Sequence, residues 1–278
     1  MSNARDLINQ PLPPDVAACL APIERVHFNI ALHMNREPIK GFWTLCQRYL
    51  GAIAIRLVTR NVVRDFGFEH VRRAYDQGSV LLVANHRSYF DMFIVSSLLH
   101  RRLEGRKRLY FPIHGTYYYQ SIAGMVLNQV FAFWSMFPPL FARASRAPSD
   151  RYALELLTEL CAQGRGTVLG IHPEGGRNTN PDPYSYMRFQ PGAGKIIHAA
   201  RPVVIPTFIV GLDNHVGRQV LRNWRGGEAV RVRFGEPVDL AAFYALPAKG
   251  GTYKQITDEV MARVKALGEE DRAWKGES

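Results

Sequence analysis

Cysteine is scarce in this chain of 278 residues. Cys19, Cys46 and Cys161 are odd in number and form no Cys-x-x-Cys pair, which excludes a disulfide framework and fits a reducing compartment. Long apolar runs are also missing. Residues 41–58 are rich in apolar side chains, but Gln47, Arg48 and Arg56 interrupt them. Residues 122–142 are broken by Asn128, Gln129, Ser135 and Pro138-Pro139. Neither is a clean membrane span. The first twenty residues lack a basic start and an apolar core, so no signal peptide is expected. There is no internal repeat. Acidic residues are outnumbered, 24 against 35 Lys and Arg, for a net charge of +11. That balance suits an anionic partner such as a phospholipid surface or a phosphorylated substrate. The basic residues are dispersed and no nucleic-acid motif accompanies them, so nucleic acid is not expected as a partner. A hydrophobic fraction of 47% is ordinary for a globular protein and argues against disorder.

What is present begins with Ser79-Val-Leu-Leu-Val-Ala84, a short apolar run after Gly78 that reads as a buried strand. It leads into Asn85-His86, and a new apolar pattern starts at Phe90. A continuous helix would set His86 and Asp91 about 140° apart around its axis. They meet only if His86 lies in the loop and Asp91 in the first turn of the next helix, with Ser88 or Asn85 as its cap. A carboxylate holding an imidazole fixes its tautomer and stabilises the imidazolium, which makes a general base. No nucleophilic Ser or Cys lies nearby in sequence, so the expected role of His86 is to activate a substrate hydroxyl.

A second polar cluster, Gly170-Ile-His-Pro-Glu-Gly-Gly-Arg-Asn178, follows the strand-like run Gly166–Ile171. Gly175-Gly176 allows close approach of the backbone to a ligand, and Arg177 offers a planar fork suited to phosphate. The bland alternative is a Gly-rich turn with a surface Arg.

These two loops resemble those of the glycerolipid acyltransferases, typified by 1-acylglycerol-3-phosphate acyltransferases. Asn85-His-Arg-Ser-Tyr-Phe-Asp91 is similar to their His-x4-Asp signature, and Pro173-Glu-Gly-Gly-Arg177 to their Pro-Glu-Gly-Thr-Arg motif. Val203-Val-Ile-Pro-Thr207 and Val232-Arg-Phe-Gly-Glu-Pro237 resemble two later strand motifs. The likeness runs from about residue 62 to about residue 240. Gly176 stands where the family usually has Thr, and His172 where an aromatic residue is common. The resemblance implies an α/β fold with a central, mostly parallel or mixed sheet flanked by helices, preceded by an N-terminal helical segment. It implies His86 and Asp91 as the catalytic pair, with Glu174, Gly175, Gly176 and Arg177 holding the acceptor. It also implies a phosphate-binding Arg after a second motif, and Arg143 is favoured over Arg146 because residues 139–142 read as a strand leading to it.

Residues 1–60 are expected to form a tail and a helical, membrane-associating segment, and residues 61–278 the catalytic domain. Within the first part, residues 1–14 read as a loose tail and 41–58 as a helix. Further on, the basic run 100–108 reads as a solvated face, with contact to anionic headgroups as the alternative, and Phe131, Phe133, Trp134, Met136 and Phe137 read as core, with an acyl-chain tunnel or membrane-facing patch as the alternative. Residues 213–227 read as a loop-rich excursion, residues 230–234 as an edge or half-exposed strand, and residues 253–267 as a helix before a polar tail. The expected activity moves a fatty acyl group from acyl-CoA or acyl-carrier-protein, as co-substrate, to a lysophospholipid hydroxyl, most simply that of 1-acylglycerol 3-phosphate. Glycerol 3-phosphate or another lysolipid is the alternative acceptor, and a membrane-surface lipid-binding protein the non-enzymatic alternative. No cofactor and no metal are expected, since His114 and His172 have no ligand-spaced partners. The expected location is the cytoplasmic side of the membrane, peripheral or monotopic, on an anionic surface.

Overall fold

The computed structural model describes residues 6–105 and 107–277. Helices come first: α1 (Pro14–Cys19), α2 (Pro22–Met34), then α3 (Ile39–Cys46) joined to α4 (Ala52–Thr59) through one wide turn, Gln47–Gly51. Strand β1 (Val63–Phe66), helix α5 (Phe68–Gln77), β2 (Val80–Ala84) and α6 (Asp91–Arg102) follow. Next are β3 (Arg108–Tyr110), β4 (Ile113–His114), α7 (Gly115–Tyr118), α8 (Ile122–Ala132) and β5 (Pro139–Leu140). The remainder is α9 (Ala147–Ala162), β6 (Thr167–Ile171), α10 (Gly192–Ala200), β7 (Val203–Val210), α11 (Val216–Arg225), β8 (Val230–Phe234), α12 (Ala241–Tyr244) and α13 (Gly250–Glu277).

The fold is α/β. Six strands form one sheet in the order β1-β8-β7-β2-β6-β3, and β4 pairs with β5 separately. The central strands β7, β2, β6 and β3 are parallel, while β8 runs antiparallel to β7, so the sheet is mixed. β2 and β6 are buried at every position because helices cover both faces, which is why they read as unbroken apolar runs. Alternate residues feed two cores: Leu81, Val83, Leu169 and Ile171 on one face, Val80, Leu82, Ala84 and Val168 on the other. The first face is closed by α9, whose Ala153, Leu156, Leu157 and Leu160 form a buried stripe, and by α10 and α13. Those last two helices touch at Gly194, where a Cβ would lie 1.9 Å from the Tyr253 carbonyl oxygen. The second face is closed by α5 and α6.

Several expectations need correction. Residues 6–14 are not loose: Ile8 and Leu12 are buried, and the Leu7 amide donates to Glu159 while Arg36 donates to the Ile8 carbonyl. Residues 1–5 lie outside the described residues. α2 was not foreseen, because Glu24, His27 and His33 break its apolar pattern. Glu24 and His27 are nonetheless buried, Glu24 bridging to Arg146 at 3.0 Å. The basic run 100–108 is not wholly solvated, since His100 and Lys107 turn inward. Burial pushes the His100 imidazole down to about 3 and the Lys107 ammonium down to about 8. Residues 213–227 hold the helix α11, and the tail beyond Leu267 continues as helix to Glu277.

β8 is an internal strand between β1 and β7, and Arg231 on it is buried. Asp271, reaching in from α13 with no exposure, accepts from Arg231 Nε at 2.9 Å and from Arg233 Nε at 3.0 Å. One buried carboxylate therefore lets two arginines lie on an interior strand. No helix among the described residues is long and apolar enough to cross a membrane. Trp134, Met136 and Phe137 are core, as expected, whereas Phe131 is exposed.

Candidate active site

The site forms where β2 and β6, adjacent and parallel with Val83 opposite Ile171, release their loops side by side. Asn85 ends β2. Its buried amide donates to the Ile209 carbonyl and accepts the Ile209 amide, both at 2.8 Å, which ties the loop to β7. Asn85 is thus a strand tie rather than a helix cap. The Ser88 hydroxyl accepts the Phe90 amide, and α6 starts without a side-chain cap. Asp91 in the first turn does the organising: its Oδ2 accepts His86 Nδ1 at 3.0 Å, the Arg87 amide at 2.8 Å and the Ser88 amide at 3.0 Å. The anticipated geometry, with His86 in the loop and Asp91 in the helix, is what the fold contains. Asp91 is buried, while the His86 side chain keeps 21% of its surface in contact with solvent.

The second loop holds the first. Glu174 Oε1 accepts the His86 amide at 2.9 Å, and the Asn178 amide donates to the His86 carbonyl at 2.8 Å. Glu174 Oε2 accepts the Met187 amide at 2.8 Å. The expected acceptor ligand Glu174 is therefore a buried strut: both its oxygens bind backbone, and its charge would repel a phosphate. Gly175 takes the left-handed conformation, φ +70°, that its turn requires. A Cβ on Gly176 would meet nothing within 4 Å, so open space adjoins it. Arg177 lies 4.5 Å over the Tyr89 ring, which joins the two loops. Among the described residues no carboxylate pairs with Arg177, so its charge remains available to an anion. Arg143 is exposed at the start of a single turn, and its guanidinium has no partner among the described residues. Among the described residues no hydrogen bond or ion pair ties it directly to the His86 cluster. Arg146 is committed to Glu24 and to the Cys19 carbonyl, so it serves the N-terminal helices.

Three participants escaped sequence reasoning. Arg87 reaches across to the Asn180 carbonyl, and burial lowers its guanidinium from the ordinary range. Tyr89 supports Arg177, and His172 stacks on His86 with ring centroids 4.1 Å apart and planes 12° from parallel. His172 has its Nδ1 3.2 Å from the Ala84 carbonyl oxygen. Burial first, and His86 second, hold its proton affinity well below that of an ordinary histidine, so the ring stays neutral. Its position after a strand adjacent to β2 was the available signal.

His172 does have partners, contrary to expectation: ligand-capable atoms of His86, Asp91 and His172 lie within 4.8 Å of one another. They do not make a convincing metal cage. Imidazole lone pairs lie in the ring plane, so two nearly parallel stacked rings do not converge on one point. His86 Nδ1 and Asp91 Oδ2 are already bonded to each other. The donor set fits a supported base.

The acyltransferase family model matches residues 63–210, a stretch that runs from β1 to the end of β7 and holds both loops. Among solved structures, the chain is similar to the 1-acyl-sn-glycerophosphate (LPA) acyltransferase PlsC from Thermotoga maritima, with 19% sequence identity and a TM-score of 0.50. The likeness covers 89% of this chain and 94% of that one, and it bears on the fold. No curated protein matches significantly.

Proposed function

The chain belongs to the acyltransferase family, and on that premise we propose that it transfers a fatty acyl group from acyl-CoA or acyl-carrier-protein to a lysophospholipid hydroxyl, that of 1-acylglycerol 3-phosphate first. The observation that carries this reading is the His86–Asp91 pair, 3.0 Å apart, with the carboxylate buried and the imidazole in contact with solvent. Asp91 only accepts, so it holds the proton on His86 Nδ1 and leaves Nε2 as the base. The acceptor hydroxyl gives its proton to Nε2 as its oxygen attacks the thioester carbonyl carbon. The tetrahedral intermediate then expels the thiolate, which takes the proton back from the imidazolium. An ester and a free thiol result, with no acyl-enzyme, metal or cofactor in the path. Arg177 would hold the acceptor phosphate beside Gly176, and Arg143 would add a second contact.

The same reading puts the protein on the cytoplasmic face of an anionic membrane, peripheral or monotopic. Three helices support it. Phe42 and Leu50 near α3, Ile122 and Val130 on α8, and Trp224 on α11 are more than half exposed. Gly51 abuts the Phe133 ring next to α8, and Asn223 of α11 donates to the Leu57 carbonyl of α4, so the three helices adjoin. A neighbourhood of apolar side chains among arginines suits a bilayer interface.

The test is thiol release from palmitoyl-CoA with and without lysophosphatidic acid, beside His86→Ala. Acceptor-dependent release that disappears in the variant is the expected result. Full activity in a folded His86→Ala variant would refute the mechanism. Failure with this acceptor and with a panel of lysolipids and carrier-protein donors would leave a lipid-binding protein.

A further inference from the structure

A cleft of about 350 Å³ opens between α4 and α6, lined by Arg56, Arg60 and Arg101 above a floor that includes Ile94 and Leu98. Among the described residues no carboxylate pairs with any of the three arginines, and the acid nearest Arg60 in sequence, Asp65, is taken by Arg102. The polar neighbours are committed as well: Thr59 donates to the Ile55 carbonyl, Ser97 to the Ala52 carbonyl, and Asn61 to the Asn223 carbonyl. The guanidiniums are therefore the donors left over, and three like charges around one cleft repel until an anion enters. Consistently, burial and then the charge of Arg56 lower Arg101 from its ordinary range. This is not the catalytic site, because Arg101 lies about 15 Å along α6 from Asp91.

The setting identifies the anion. On α4, residues three and four apart share a face, so Arg56 and Arg60 continue the face that carries Ile53 and Leu57, both about half exposed. Asn223 holds α11, with its exposed Trp224, against the same helix. Arginines at the end of an apolar face sit at headgroup depth when that face enters a bilayer. We propose that the Arg56–Arg60–Arg101 cleft binds the phosphate of an anionic lipid headgroup, a lipid of the supporting membrane and not the substrate. This rests on the membrane-surface reading above.

The experiment is flotation with phosphatidylcholine vesicles, with and without phosphatidylglycerol, comparing the full chain with R56Q/R60Q/R101Q. With three basic side chains acting near an anionic surface, phosphatidylglycerol should tighten binding roughly a hundredfold. The triple variant should lose that gain while binding phosphatidylcholine vesicles and melting as the original does. A folded triple variant that keeps the gain overturns the proposal and leaves the membrane reading standing. Should the triple variant melt early, R101Q alone should lose roughly fivefold, and an unchanged gain there overturns the proposal equally. If the original chain floats with neither vesicle, the membrane reading fails. A phosphate-dependent rise in melting temperature, present in the original and absent in the variant, would then reassign the cleft to free phosphate and overturn the lipid source.

Discussion

Glu174→Gln separates a strut from a ligand. Glu174 is buried and accepts two backbone amides, that of His86 at 2.9 Å and that of Met187 at 2.8 Å. A glutamine keeps the shape and one acceptor but turns an NH2 group toward the second amide. One charge-assisted bond is lost, the other weakens, and a buried N–H is left facing a donor, a cost of about 3 kcal/mol. In a chain of this size that corresponds to a fall of roughly 6–12 °C in melting temperature. Because the His86 backbone loosens, the base shifts and kcat should fall by up to roughly a hundredfold. The KM for lysophosphatidic acid should stay within roughly twofold, since both Glu174 oxygens are taken by backbone amides. Calorimetry with steady-state thiol release reads all three. An unchanged melting temperature and kcat with a large rise in acceptor KM would refute the strut and restore Glu174 as a ligand.

Asp91→Asn should lower kcat by roughly 10³-fold with KM little changed, because the amide no longer fixes the Nδ1 proton; turnover above a tenth of the original would contradict the assignment. Asp271→Ala should cost roughly 3–5 kcal/mol in urea unfolding, because it strands Arg231 and Arg233 on an interior strand; a loss below about 1 kcal/mol would show that water already solvates them. Lys40 is fully buried and desolvation pushes its ammonium down to about 7 from 10.5. The unfolded chain keeps that proton to higher pH than the folded one, so between these values stability rises with pH, and the whole penalty is present below pH 7. Stability relative to Lys40→Met should therefore grow by on the order of 3 kcal/mol between pH 7 and pH 9.5, read from paired urea titrations; parallel pH profiles would show that Lys40 stays charged.

What could be read from residue order was whatever neighbours in sequence decide. β2 was legible because burial on both faces makes Val80–Ala84 continuously apolar. The His86–Asp91 pair was legible because five residues spanning a strand-to-helix junction leave one way for the side chains to meet. β8 was misread for the opposite reason. Arg231 and Arg233 alternate with valine, as on a half-exposed strand, and the carboxylate that neutralises both lies about forty residues onward in α13. α11 was read as loop because its apolar side chains are few and most of them remain exposed, so no core-facing stripe marks it.

Glu174 and His172 show the same limit inside the site. Both are chemically suited to bind a ligand, and both meet His86 in the first loop, Glu174 from 88 residues away and His172 from 86. The pairing of β2 with β6 sets those distances: once Val83 lies opposite Ile171, the residues just beyond each strand must meet. In that position a carboxylate beside a free backbone amide becomes a strut, and an imidazole beside another imidazole becomes a stacking support. Arg177, whose nearest partner is an aromatic ring and not an acid, is the second-loop residue left with charge to offer. Side-chain type therefore marked where the chemistry gathers, and the register between two strands divided its residues into those that support and those that act.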